Sequence, residues 1–158
     1  MVRTQISLFG ILFLAVFLET IIVPGLWSQL RMDLLIGMTI GVIIHLTFSQ
    51  GLVFIMIASL FLQAFSGARP GFVPMMYLFS FLTIDILKRV IYLENVLTQL
   101  MLALVFNMLL VVAYVVSMDM ELEGLGFFGP LITGSILTGL MSPLMVRIVG
   151  HLKKAYES

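Results

Sequence analysis

The side chains that could do chemistry in this sequence are few, and most lie inside apolar runs. Glu19 interrupts the run Ile6–Val23, His45 falls within Leu34–Phe48, and Asp85 sits near the end of Phe72–Leu87. An ionisable group at membrane depth is expensive, so each is a candidate for ion binding, proton relay or pairing. Glu19 lies one turn before Pro24, where it either reaches water at the interface or pairs with Arg31 or a partner protein. Asp85 precedes Lys88 by three residues and Arg89 by four, so a helix places all three on one face. A local ion pair is the plain reading there, and a proton relay would need a second acid. His45, in the middle of its run, serves either as one hydrogen bond to a neighbouring helix or as a pH-sensitive ligand.

Gln63, Gln99 and Asn107 are neutral polar groups at helix depth. They suit interhelical hydrogen bonds, worth about 1 kcal/mol or less each in a membrane. Asp119, Glu121 and Glu123 form a one-signed acidic segment without a basic residue, a candidate docking loop. Enzyme signatures are absent: no H-E-x-x-H, no G-x-S-x-G and no Walker-type glycine loop. The sequence therefore assigns no catalytic residue, no cofactor and no metal.

The elements that must position these groups follow from composition. Of 158 residues, 61% are apolar and 10% charged, with a mean hydropathy of +1.21. Soluble domains are nearer half apolar and a quarter charged. Sixteen charges, eight of each sign, cannot cover a soluble surface, and they leave no basic footprint for nucleic acid. Without cysteine there is no disulfide and no thiol chemistry. The chain reads as one all-α integral membrane domain over residues 1–158.

A spanning helix needs about 20 mostly apolar residues. Six segments approach this: 6–23, 34–48, 52–65, 72–87, 96–118 and 127–149. The stretch Leu34–Phe65 would measure about 48 Å as one helix, too long for a hydrocarbon core of about 30 Å. It is therefore read as a tight hairpin, broken at Ser49-Gln50-Gly51. Gly37-x-x-x-Gly41 and Ser135-x-x-x-Gly139 have small-xxx-small spacing, which serves close packing inside the bundle or dimerisation. Gly67-x-x-x-Gly71 contains Pro70 and reads as a loop.

Lysine and arginine set orientation. With both termini cytoplasmic, six basic residues (Arg3, Lys88, Arg89, Arg147, Lys153, Lys154) face inward, and Arg31 and Arg69 face outward. A five-span chain with its start outside sorts the same residues identically. Lys88, Arg89, Lys153 and Lys154 thus anchor the cytoplasmic side in either case. The length of Leu34–Phe65 decides for six spans.

Several stretches resemble the bacterial rod shape-determining protein MreD family. Arg31-Met32-Asp33-Leu34-Leu35 is similar to that family's R-P-D-L-L, with Met32 in place of proline. Leu62-Gln63-Ala64-Phe65-Ser66-Gly67 resembles its L-D-x-x-S-G, with Gln63 in place of aspartate. Lys88-Arg89 and Tyr92-Leu93-Glu94 precede the fifth segment. Leu137 to Leu144, which reads L-x-x-L-x-x-P-L, resembles the family's L-x-x-x-L-x-x-P-L with one spacer residue fewer, before a basic tail.

The resemblance implies a non-catalytic subunit of the cell-wall elongation machinery in the bacterial inner membrane. Implied partners are the lipid bilayer, an MreC-type periplasmic scaffold, MreB, RodZ and the RodA–penicillin-binding-protein synthase. It also implies a compact six-helix bundle like the S components of energy-coupling-factor vitamin transporters. A substrate-binding subunit of a vitamin or ion transporter is accordingly the alternative function.

Overall fold

The computed structural model describes residues 2–19, 32–117 and 128–157. Among these residues the fold is all helical, with six helices in chain order. They are α1 (Val2–Phe17), α2 (Leu34–His45), α3 (Phe48–Ser66), α4 (Phe72–Leu87), α5 (Val96–Ser117) and α6 (Phe128–Glu157). Three of them, α3, α5 and α6, are long and apolar enough to cross a membrane.

The centre of the bundle is α2. Every residue from Leu34 to Ile43 is buried. Its sequence has no polar face, and a helix that is apolar all round must be covered on all sides. At twelve residues it measures about 18 Å, short of a hydrocarbon core of about 30 Å. The cover comes chiefly from α6, with α1, α3, α4 and α5 completing the ring.

The α2–α6 seam needs its glycines. A Cβ on Gly37 would lie 3.0 Å from Ser142 Cα, and one on Gly41 would lie 3.1 Å from Val146 Cα. The Gly37-x-x-x-Gly41 spacing therefore serves packing within the chain. Gly139 does the same between α5 and α6, where a Cβ would meet the Leu100 carbonyl oxygen at 3.0 Å.

The outer surface is apolar where the long helices face away from the core. On α5 the exposed residues Leu97, Met101, Val105, Leu109, Val112 and Val116 follow a helical ridge. On α6, Ile132, Ile136, Leu140 and Leu144 do likewise. Ridges of this length in water would be a liability, and a lipid environment suits them.

Four boundaries differ from the sequence reading. The break between the second and third segments falls at Leu46-Thr47, and Ser49-Gln50-Gly51 forms the first turn of α3. The reason is Thr47-Phe48-Ser49-Gln50, a capping-box pattern: the Thr47 amide donates to Gln50 Oε1 at 3.4 Å. The α2 segment is accordingly shorter than 34–48. At the C-terminus, the helix does not stop at residue 149. It runs through the basic tail to Glu157, past Pro143. The first helix begins at Val2, four residues before the expected span. Gly67 and Gly71 turn the chain between α3 and α4 with φ of +64° and +83°, a conformation that glycine adopts without a Cβ penalty.

Candidate functional site at the acidic end of the bundle

The end of the bundle where α2 begins is acidic. Asp33 caps α2, its Oδ1 accepting from the Ile36 amide at 3.1 Å. Its own amide donates to Thr138 Oγ1 at 2.9 Å. Thr138 lies roughly 15 Å along α6 at 1.5 Å per residue. The start of α2 is thus set deep within the bundle.

Tyr77, buried on α4, donates its hydroxyl to Asp33 Oδ2. Glu19, two residues past the end of α1, approaches from the other side, and its Oε2 accepts from the Leu34 amide at 3.3 Å. Two carboxyl groups from different parts of the chain therefore converge on one helix N-terminus. There the unsatisfied amides and the helix dipole favour negative charge.

Beside these groups is a cavity of about 340 Å³. Glu19, Asp33 and Tyr77 line it together with Asn107 and Tyr114 of α5, against apolar walls from α3 and α4. Asn107 is 2% exposed, and its Nδ2 donates to Ser135 Oγ at 3.0 Å, tying α5 to α6. Tyr114 packs edge-on to Phe72 with ring centroids 6.3 Å apart, and donates to the Ser66 carbonyl at 3.0 Å.

Gln63 stands just behind this wall and organises the α3–α4 turn. Its Nε2 donates to the Ala68 carbonyl at 2.9 Å, and its Oε1 accepts from the Val73 amide at 3.1 Å. A neutral amide can do both; a carboxylate could only accept.

Chemically, the site is rich in acceptors: two carboxyl groups and an amide oxygen around an apolar hollow, with phenol hydroxyls as donors. It suits holding a proton or a ligand that donates hydrogen bonds. No group of three or more His, Cys, Asp or Glu that could hold a metal occurs among the described residues.

The sequence candidates scatter across both ends. Glu19 and Asn107 reach the cavity, and Gln63 supports it. His45 does not lie in the middle of a helix. It is the last residue of α2, at the opposite end, half-buried against Gly150 of α6. Asp85 makes no ion pair with Lys88 among the described residues; Lys88 Nζ instead donates to the Ile43 carbonyl at 2.6 Å. The end of α2 leaves carbonyls without helical partners, and a lysine satisfies one of them. Gln99 is buried and donates to the Leu93 carbonyl at 2.9 Å. Lys88, Arg89, Lys153 and Lys154 gather at this second, basic end. Asp119, Glu121, Glu123 and Arg31 lie outside the described residues.

Asp33, Tyr77 and Thr138 were not singled out as site residues. A signal existed for Asp33, which directly precedes an uncharged apolar run as an N-cap should. Tyr77 and Thr138 carried none, because a single hydroxyl in an apolar helix has no periodic signature.

The fold and site define a helical bundle of membrane character around an acid–tyrosine–amide cavity. No family model matches this sequence, and no curated protein or solved structure is similar to it at a significant level.

Proposed function

We propose that the chain is a non-catalytic scaffold subunit of the bacterial cell-wall elongation complex. In this reading it sits in the inner membrane as a six-helix bundle with both termini in the cytoplasm. It binds an MreC-type single-span scaffold and helps organise peptidoglycan synthesis and cell shape, in reach of MreB, RodZ and the RodA–penicillin-binding-protein synthase. The resemblance to the MreD family is its starting point.

One observation carries the reading beyond sequence likeness. The separate stretches on which the resemblance rests meet in space. Met32 and Asp33 from the first, and Leu62, Phe65 and Ser66 from the second, line one cavity. Thr138 from the third accepts the Asp33 amide. Short apolar motifs that matched by chance would have no reason to converge. The polar side chains around them also bond to the bundle's own backbone and side chains, as expected of a frame that holds helices in place.

The acidic segment Asp119–Glu123 is assigned to partner docking. The test is co-purification from membranes with the MreC-type protein, comparing the wild type with Glu121→Lys/Glu123→Lys. The charge reversal should weaken capture; undiminished capture would remove the docking role from this segment.

A second reading is favoured by the cavity itself. A hollow of about 340 Å³ lies within the range of small-ligand sites, and its acceptors are suited to a protonated or donor-rich ligand. That arrangement fits an S-component-like subunit of a vitamin or ion transporter. Capture of a nucleotide-hydrolysing transport module in place of the MreC-type protein would decide for it.

A further inference from the structure

The basic end of the bundle holds a second hollow, of about 520 Å³, larger than the acidic cavity. It opens between the last turn of α2, the start of α5 and the final turns of α6. Its charged lining is mostly cationic. Arg147, His151 and Lys154 follow one another on α6 at spacings of four and three residues, so they share one helix face. All three are exposed. His45 closes the hollow from the side of α2. Its position is fixed by Gly150: a Cβ there would lie 2.8 Å from His45 Nε2, so only glycine lets the ring settle against α6. The single acid on the lining, Glu94, accepts a hydrogen bond from the Tyr92 hydroxyl at 2.8 Å.

Apart from Gln99, whose amide donates to the Leu93 carbonyl, the rest of the lining is apolar. Val96 and Pro143 face the hollow, and Val96 is exposed. Leu140 and Leu144, exposed on α6, continue the apolar surface away from the cations. The result is a cationic pocket at one helix end, merging into a ridge suited to hydrocarbon. Basic pockets between helices at a membrane boundary attract anionic head groups, and charge there is worth most where it is clustered.

We propose that this hollow binds a phosphate-bearing anion, with Arg147, His151 and Lys154 as its partners. The source of the phosphate is either the head group of an anionic phospholipid, whose chains would lie along the α6 ridge, or a free phosphate. The inference goes beyond the scaffold reading and rests only on the bundle lying in a membrane.

The test uses the full chain purified in a neutral detergent. Thermal unfolding is followed while short-chain phosphatidylglycerol, phosphatidylcholine of the same chain length, or sodium phosphate is added at constant ionic strength. Phosphatidylglycerol is expected to raise the midpoint saturably and phosphatidylcholine to do so far less. Arg147→Gln and Lys154→Gln should each weaken the apparent affinity roughly fivefold. Arg89→Gln, a charge at the same end but outside the hollow, should leave it within about twofold. Saturable protection by phosphatidylglycerol without protection by phosphate assigns the site to lipid. Protection by phosphate that is lost in the same two variants assigns it to a free anion. Should Arg147→Gln fail to accumulate, Lys154→Gln decides alone, since Lys154 is exposed near the helix end. Equal protection by phosphatidylglycerol and phosphatidylcholine overturns the proposal. So does a loss on Arg89→Gln as large as the loss on Lys154→Gln.

Discussion

The two ends of the bundle handle charge in opposite ways. At the acidic end, Glu19, Asp33 and Tyr77 lie against the buried start of α2, and each makes a bond that crosses between elements. At the basic end, Arg147, His151 and Lys154 point outward from α6, and exposure does what bonding does elsewhere. The difference follows from where α2 starts and stops. Its first amides lie deep in the bundle, so something there must accept from them, and carboxylates do so best. Its last carbonyls lie near the surface, where one long lysine suffices. Charge inside a bundle is therefore a matter of specific partners, whereas charge at its rim is a matter of placement.

The largest effect should come from the seam that joins the two ends. Gly41→Leu would force a side chain into Val146 and Val149, and overpacking of this kind costs about 3 kcal/mol or more. Thermal unfolding in detergent should show a large fall in midpoint or a failure to accumulate. A near-neutral result would mean that α2 and α6 are not in tight contact.

Asp33→Ala comes next, because it removes the α2 cap and strands the Tyr77 hydroxyl. The loss should be about 2–4 kcal/mol, measured as the shift in the same unfolding curve. Tyr77→Phe takes only the donor and should cost less, about 1–3 kcal/mol. If the two losses are equal, the cap contributes nothing and the hydroxyl carries the whole effect.

Lys88→Met probes the corresponding contact at the basic end. Its loss should stay under about 1 kcal/mol, since Lys88 is exposed and water can replace it. A loss matching that of Asp33→Ala would erase the contrast between the ends.

The smallest effect is a titration. The hydrogen bond to Glu94, and then its negative charge, hold the Tyr92 hydroxyl above the ordinary tyrosine range. The phenol is neutral below its pKa and anionic above it, so the raised folded value means that the protonated hydroxyl donates to Glu94 at neutral pH. The contact is lost as pH rises through that value. Ultraviolet difference titration should show the shift, and Glu94→Gln should lower it toward the ordinary value.

Much of the helical layout was legible in the sequence, because long uncharged runs leave few other choices. Val96–Met118 was read to within one residue of α5, and Phe72–Leu87 matches α4. The α2–α3 break was misplaced because Gly51 drew attention as a breaker. The capping pattern from Thr47 to Gln50 was the stronger physical signal. Gly51 is in fact buried against Phe81 and Val42, where a Cβ would lie 3.0 Å from each side chain. The extension of α6 was hidden by its polarity: nothing in His151–Glu157 breaks a helix, and a polar end need not be a loose one.

The candidate site was legible only in part. Glu19 and Asn107 stood out because a charge or an amide at helix depth is rare. Asp33 and Tyr77 did not, since one lies at a segment boundary and the other looks like any interfacial aromatic. What brought them together is the burial of α2, a tertiary event that no local pattern encodes. Asp85 was assigned its partners by proximity along the chain. Lys88 instead chose a carbonyl on another helix, which is nearer in space.

Affinity capture tests the central claim most directly. The full chain, tagged and extracted in mild detergent from bacterial membranes that also contain the MreC-type protein, should retain that protein in near-equal amounts, with less retained by Glu121→Lys/Glu123→Lys. Recovery of the chain alone, or with a nucleotide-hydrolysing transport module instead, would contradict the scaffold account.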